Sequence, residues 1–223
     1  MTGNALFKHT RYLMELREAN FSSGLRNKDF SDVDFSRADF HGMQLVNVNF
    51  DNSRLDGLNL YDCELVNCSF RNSDLTRVIM KKAKLMNCLF DGSNFSQSDL
   101  GETVIYKVRI DNCDMHLCKL SNSKIIDSFI TKSNFLGCDV TGAFFSDVEF
   151  YTTNLQNITA ERAVMVKCKL MDSRLDRATF KHALIYDTAL EGCSAEGMVM
   201  MDTKTDLDVD AIKGIRAVDV KKI

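Results

Sequence analysis

Three acidic residues near the C-terminus imitate the start of a metal-binding loop. Asp206, Asp208 and Asp210 alternate as in the first half of a calcium loop, where carboxylate oxygens bind the ion. Such a loop needs a glycine at its sixth position and a bidentate glutamate at its twelfth, but these positions hold Ala211 and Ala217. Because both requirements fail, we predict no metal site and no cofactor.

The histidines and cysteines form no catalytic or metal-binding constellation either. The histidines are widely separated, without a second ligand at metal-site spacing, and the cysteines recur at multiples of five residues. No phosphate-binding glycine loop, nucleophile elbow or HExxH pair is present in the sequence. We therefore predict that the protein is not an enzyme. The four histidines are His9, His41, His116 and His182.

The cysteine spacing belongs to a five-residue repeat that runs through most of the chain. From Leu25 to Met200 every fifth residue is apolar, and the residue two places earlier is usually small, as at Cys63 and Ser73. A period of five fits neither an α-helix nor a flat strand. It fits a short extended segment followed by a turn, with Asn, Asp, Ser and Gly as turn formers. Stacked units would bury their large residues in one continuous core.

Individual units resemble the A(D/N)LxX consensus of the pentapeptide-repeat family. Examples are Ala38-Asp39-Phe40-His41-Gly42 and Ser73-Asp74-Leu75-Thr76-Arg77, and the likeness extends over residues 21–202. It implies an all-β fold, a right-handed quadrilateral β-helix with four units per coil and about nine coils. The chain is similar to the quinolone-resistance-type members but lacks their inserted loops.

The repeat divides the chain into three segments. Residues 1–20 are predicted to form an N-terminal cap with a short helix, residues 21–202 the β-helix, and residues 203–223 a C-terminal capping or dimerisation segment. The family resemblance implies a homodimer through the last of these, since dimers in this family often form at the C-terminal end.

The C-terminal segment allows two interpretations of its secondary structure. Leu207, Ala211, Ile215 and Val218 have helical spacing, which predicts a capping helix. The alternation of acidic and apolar residues over 206–210 favours a strand instead.

Composition limits the environment and the partners. The net charge of −3 argues against direct binding of nucleic acid. No apolar run reaches the length of a transmembrane helix, and the first twenty residues lack the apolar centre of a secretory signal. Cysteines that sit at buried repeat positions are expected to remain reduced, so we predict a cytoplasmic protein without membrane contact.

Four units per coil would stack residues twenty apart, so outward-facing columns can be read from the sequence. The face that contains Leu45 and Leu65, here called the stripe face, is unusually apolar, which predicts an interface for a protein partner. A homodimer, a second protein and a covering segment all remain as occupants. Ordinary β-propensity is an alternative explanation of the same residues. The candidate interface residues are Val46, Val66, Met86, Tyr106, Ile126, Phe144, Val166 and Tyr186.

The face around Phe30, Phe50 and Phe70, here called the acidic face, carries the largest acidic surplus of the four. Quinolone-resistance-type members resemble B-form DNA and bind type II topoisomerases. The resemblance therefore implies an alternative to the scaffold hypothesis, a DNA mimic that binds gyrase and modulates quinolone susceptibility. The candidate acids are Asp29, Asp32, Asp51, Asp91, Asp111 and Glu149.

Overall fold

The computed structural model describes residues 24–209, 212, 214–218 and 220–222, and the predicted N-terminal cap lies outside them. The described chain winds into stacked coils whose ladders are all parallel. Twenty residues make one coil, because Leu45 pairs with Leu65 and Leu65 pairs with Leu85. The predicted twenty-residue register is therefore confirmed.

Each five-residue unit forms one side of a coil and ends in a left-handed residue. This residue lies two positions after the buried centre, as at Asn47 (φ 53°) and Gly57 (φ 65°). Asparagine and glycine tolerate this region because their side chains are short or absent. The amide of the corner residue donates to the next coil, for example from Asn47 N to Val66 O at 2.9 Å. The turn formers noticed in the sequence therefore close the corners and join the coils.

The stripe face is the longest sheet, with eleven strands. Eleven strands about 4.8 Å apart span about 48 Å. The stack therefore has one coil more than the nine coils counted from the repeat. Its strands are β1 (Leu25–Arg26), β2 (Gln44–Val46), β3 (Glu64–Val66), β4 (Lys84–Met86), β5 (Val104–Tyr106), β7 (Lys124–Ile126), β9 (Phe144–Ser146), β11 (Val164–Val166), β14 (Leu184–Tyr186), β17 (Lys204–Thr205) and β19 (Lys221–Lys222).

The other three sides consist of shorter sheets and single bridges. The acidic face becomes a five-stranded sheet in its C-terminal half, and a third face ends in a three-stranded sheet. Bridges such as Asp34 to Arg54 hold the remaining side. The five strands are β6 (Arg109–Asp111), β8 (Phe129–Thr131), β10 (Glu149–Tyr151), β12 (Lys169–Met171) and β15 (Ala189–Glu191). The three strands are β13 (Thr179–Lys181), β16 (Val199–Met201) and β18 (Arg216–Val218).

Apolar side chains fill the inside of the coils. Phe50, Phe70 and Phe90 stack with ring centroids 5.0 and 5.1 Å apart and interplanar angles of 14° and 16°. Each such pair contributes about 0.5–1.5 kcal/mol beyond the burial of its area. The core is thus packed side chains rather than a pore.

The small inward residues also act as hydrogen-bond donors between coils. Ser73 Oγ donates to Phe50 O at 2.7 Å and Cys63 Sγ donates to Phe40 O at 2.9 Å, in each case to the carbonyl 23 residues earlier. All eight cysteines are free. Burial raises the pKa of the Cys63 thiol to about 11, so this thiol stays protonated.

The C-terminal segment does not form the predicted capping helix in its described residues. Thr205 is fully buried in β17, which pairs with β14, so the coil continues past Met200. The last coil is shorter than the others, because Met200 pairs with Ala217, whereas a twenty-residue coil would place Val220 there. The described residues of 206–210 do not form the alternative strand either. The strands of this segment are β17, β18 and β19, at 204–205, 216–218 and 221–222, and they satisfy the open hydrogen-bonding edge of the coil below.

Candidate binding faces

The predicted interface residues lie in register on the stripe face. Val46 pairs with Val66, Val66 with Met86, and Met86 with Tyr106. Phe144 stands in the neighbouring column, where it pairs with Val164. All eight candidates are partly exposed, and Tyr186 is the most exposed at 48%. The structure therefore brings together the residues that the sequence singled out.

The apolar surface is widest in the C-terminal half of the stripe face. In the N-terminal coils the apolar column has polar neighbours, whereas from Val104 to Tyr186 two adjacent columns are apolar, interrupted at Lys124 and Ser146. We call this two-column region the double stripe. Its apolar members are Val104, Tyr106, Ile126, Phe144, Val164, Val166, Leu184 and Tyr186.

A column of corner residues borders the stripe face and changes character along the rod. In the first coils it is an amide ladder, in which Asn47 Nδ2 donates to Asn27 Oδ1 at 2.9 Å. Beside the double stripe the column is charged, and we call that part the charged rim. Its members are Lys107, Asp127, Asp147, Lys167 and Asp187.

Lys107 ties the charged rim to the apolar surface. Its Nζ lies 5.1 Å from the ring centroid of Tyr106 and 3.7 Å from Asp127 Oδ2. The neighbouring Tyr106 hydroxyl, and then the Asp127 carboxylate, raise the pKa of this amine, which stays charged at neutral pH. The rim therefore presents fixed charges directly beside the apolar columns.

A groove of about 770 Å³ runs along the corner between the stripe face and the acidic face. Rim residues such as Asp147 and Lys167 line one side, and Phe129, Glu149 and Lys169 line the other. Its carboxylates are interleaved with lysines, and within the described part of the chain no group of three or more His, Cys, Asp or Glu side chains could hold a metal ion.

In the described part of the chain, two of the six candidate acids of the acidic face are paired with bases. Asp91 lies 2.6 Å from Arg109 and 3.2 Å from Arg71, and Glu149 lies 2.9 Å from Lys169. The Lys169 hydrogen bond lowers the pKa of Glu149. Duplex DNA, by contrast, carries a closely spaced row of phosphate charges with no such partners. Pairing therefore compensates part of the negative charge that the count of acids predicts for this face.

Three of the other four candidate acids accept hydrogen bonds from the neighbouring coil. Asp51 accepts from Arg71 N at 2.8 Å, and Asp111 accepts from the Thr131 hydroxyl. Asp29 accepts from Asn49 Nδ2 at 3.0 Å, and Asp32 occupies a left-handed corner with φ 59°. These contacts explain the acids as parts of the coil's own hydrogen bonding.

Two histidines pair with aspartates in their own units, a pairing that was not predicted from the sequence. His41 Nδ1 lies 2.9 Å from Asp39 Oδ1, and His116 Nδ1 lies 3.1 Å from Asp114 Oδ2. The signal is an Asp-x-His order, which places both side chains outward on one side of the coil. The same aspartate oxygen accepts from the His41 amide at 3.2 Å, so the pair stabilises a turn on open surface.

Four parallel ladders around a packed interior define a four-sided β-solenoid. In the described chain no helix is long and apolar enough to cross a membrane. The family model for pentapeptide repeats matches residues 15–52, 53–92 and 83–122 with eight copies, and the same geometry continues to Met200. The chain belongs to the pentapeptide-repeat family. No curated protein matches the sequence.

Several solved structures share the repeat at low sequence identity. QnrB1, a plasmid-mediated fluoroquinolone resistance protein, is 22% identical, with a TM-score of 0.41 over 81% of this chain and 89% of its own. HetL, from Nostoc sp. strain PCC 7120 and involved in heterocyst differentiation regulation, is 16% identical, with a TM-score of 0.31 over 78% and 84%. A protein of the Arabidopsis thaliana thylakoid lumen is 22% identical, with a TM-score of 0.37 over 57% and 77%. At these values none of them carries a functional argument.

Proposed function

We propose that this protein is a non-catalytic scaffold that binds a protein partner along the stripe face. The observation that carries the proposal is the double stripe, in which two neighbouring columns of outward positions are apolar over five successive coils except at Lys124 and Ser146. Contiguous exposed apolar surface with a polar border is characteristic of interaction sites.

Three aromatic side chains give the double stripe its binding capacity. Tyr106 and Phe144 are half-buried on the face, and Tyr186 is 48% exposed. Complete burial of an exposed aromatic side chain contributes about 1.5–3 kcal/mol, and tyrosines are enriched among the residues that dominate interfaces. Ordinary β-propensity favours Val, Ile, Tyr and Phe on any strand, but it does not predict that they concentrate in two adjacent columns of one face.

Site-specific photocrosslinking in the native host tests this proposal. A benzophenone amino acid at Ile126 should capture a protein, whereas the same probe at Ile79, an outward isoleucine on another face, should not. Val166→Asp should abolish capture at position 126 without changing the circular dichroism spectrum. If the two probe positions gave the same captured proteins, the stripe face would not be a binding surface.

The DNA-mimic alternative has less support. On its candidate face Asp91 is paired with two arginines and Glu149 with a lysine, so part of the charge is compensated, unlike the charge of a duplex. A supercoiling assay with gyrase decides the matter. Inhibition, or protection against a quinolone, at micromolar protein would favour the alternative, and no effect would exclude it.

A further inference from the structure

We infer that the double stripe binds a second copy of this chain, antiparallel, about a two-fold axis through the row from Phe144 to Asp147. This inference rests on the proposed function, because it names the partner of the same face. The order of charges in the rim carries it: lysine, aspartate, aspartate, lysine, aspartate along five successive coils.

The two-fold operation determines which residues meet. An axis that lies in the interface and runs along the strands places each column against the same column of the second copy, in reversed coil order. Lys107 then faces Asp187 of the second copy, and Asp127 faces Lys167. Because the operation is symmetric, each of these pairs occurs twice. Four complementary charge pairs border the apolar columns.

No other antiparallel register gives as many complementary pairs. If the axis passes through the row of Asp127, Lys107 faces Asp147 but Asp127 faces its own copy. If the axis passes through the row of Lys167, Asp147 faces Asp187. A shift of the axis by half a coil places Lys107 opposite Lys167 in one direction and Asp127 opposite Asp187 in the other. Like charges in opposition disfavour these arrangements, so the rim selects the register centred on the middle row of the double stripe, that of Asp147.

A parallel arrangement of the two copies is disfavoured as well. A two-fold axis along the rod places the rim against the opposite edge of the stripe face. It brings Lys107 beside Glu102 of the second copy but Lys167 beside Arg162, so it gives two complementary and two repulsive pairs, against four complementary pairs in the antiparallel register. Two positive charges then meet beside the apolar columns, so the antiparallel arrangement is preferred.

The apolar columns agree with the register that the charges select. Tyr106 meets Tyr186, Ile126 meets Val166, and Phe144 meets its own copy. The pattern of the outer column, aromatic, aliphatic, serine, aliphatic, aromatic, reads the same in both directions about its central serine. Tyrosine pairs at both ends of the footprint would supply most of the buried area.

Two positions oppose this dimer and limit its strength. Lys124 meets Val164 of the second copy, where its methylene stem can pack while the amine stays in water. Asp147 faces its own copy near the axis, and Ser146 Oγ donates to its Oδ2 at 2.8 Å. Removal of this one repulsive contact should therefore tighten the dimer.

The size of the footprint indicates a weak, concentration-dependent dimer. Five strands about 4.8 Å apart and a side roughly 15 Å wide cover roughly 400 Å² per copy. A standard interface buries about 800 Å² per partner, so dissociation is expected in the micromolar range or above.

Charge-reversed variants of the full-length chain test the register. One variant carries Lys107→Glu with Lys167→Glu, and the other carries Asp127→Lys with Asp187→Lys. By sedimentation velocity each variant alone should dimerise at least about tenfold more weakly than the wild type, whereas their equimolar mixture should recover dimers. Asp147→Asn should dimerise more tightly. Lys119→Glu, on another face, is the matched control and should leave the wild-type behaviour unchanged.

A cysteine at the axis tests the geometry independently. Ser146→Cys should form an interchain disulfide under diamide, which accepts the two thiol hydrogens. Ser121→Cys, at the equivalent position on the neighbouring face, should not. A wild type that stays monomeric near 1 mM, or a mixture that dimerises no better than its components, would overturn the inference. If Ile126 still captured a different protein, the scaffold proposal would stand and only the identity of the partner would be wrong.

Discussion

Replacement of Ser123 by alanine should stabilise the protein, whereas the same replacement at Ser98, on the neighbouring side of the coil below, should destabilise it. Both side chains are fully buried at the small inward position of their units. Among the described buried side chains, the Ser123 hydroxyl has no hydrogen-bond partner. Ser98 Oγ, in contrast, donates to Leu75 O at 2.8 Å and accepts from Val78 N at 3.1 Å.

The coil below explains why Ser123 has no partner. Inward serines and cysteines such as Ser98 donate to the carbonyl 23 residues earlier, and the corresponding acceptor for Ser123 is Leu100 O. That carbonyl already accepts the Thr103 hydroxyl at 2.7 Å and the Thr103 amide at 3.4 Å. Two consecutive hydroxyl residues in one column thus compete for one acceptor, and Thr103 reaches it from its own coil.

The two substitutions differ in sign because of desolvation. Ser98→Ala removes a satisfied hydrogen bond, which costs about 1 kcal/mol, while Ser123→Ala removes a buried unsatisfied hydroxyl, whose burial costs about 1–3 kcal/mol. The variants should therefore differ by about 2–4 kcal/mol in the free energy of unfolding. At about 2–4 °C per kcal/mol for a chain of this size, their melting temperatures should differ by roughly 4–16 °C.

Thermal and urea denaturation of both variants measures this difference. Because the two serines occupy adjacent coils, local differences in cooperativity affect them equally. If Ser123→Ala lost as much stability as Ser98→Ala, the hydroxyl would have a partner, and the competition for Leu100 O would be wrong.

Three further predictions follow from the core. Phe70→Leu should lower the free energy of unfolding by about 1–3 kcal/mol more than Phe180→Leu, as measured by urea denaturation. Phe70 stacks between two rings, whereas Phe180 has no ring contact in the described chain. Equal losses would show that stacking adds nothing. Ala160→Val should raise the melting temperature, because Ala160 lines an apolar cavity of about 20 Å³, and filling such a cavity contributes about 0.5–2 kcal/mol; a lower value would mean that the added methyls clash. Burial raises the pKa of Cys113 to about 12, so its folded form keeps a proton that the unfolded chain loses above about pH 9. Stability should fall by on the order of 1.4 kcal/mol per pH unit from pH 9 towards 12 through this thiol, and urea titrations of Cys113→Ala should lack that slope.

The sequence was sufficient to predict the core and the register. The five-residue period identified each buried centre, and the twenty-residue coil placed Leu45 against Leu65 and Leu65 against Leu85, as the structure confirms. This succeeds because each contact in a solenoid is a fixed offset along the chain. The sequence showed that the side chains of the second inward column are small. Their hydrogen bonds to carbonyls of the coil below became visible only in the structure.

The charges and the C-terminal coil could not be predicted in the same way. The count of acids on the acidic face was correct, but its electrostatic meaning depended on how far Arg71, Arg109 and Lys169 reach from neighbouring coils. Long side chains have too many rotamers for spacing to decide their partners. At the C-terminus a threonine, Thr205, replaces the apolar centre of the unit. The next coil is shorter than twenty residues, so Thr205 pairs with Lys222 and the twenty-residue offset no longer predicts the pairing.

The fold itself constrains most positions of each unit, which gives the remaining positions their meaning. The centre and the small residue face the core, and the corner residue must adopt a left-handed conformation. The two outward positions beside the centre carry none of these constraints, and water-facing strands usually place polar residues there. The N-terminal coils follow that expectation with Gln44, Glu64 and Lys84, so the solenoid folds well with polar side chains at these sites. The double stripe is therefore not a requirement of folding, and this supports the proposal that it contacts another protein surface.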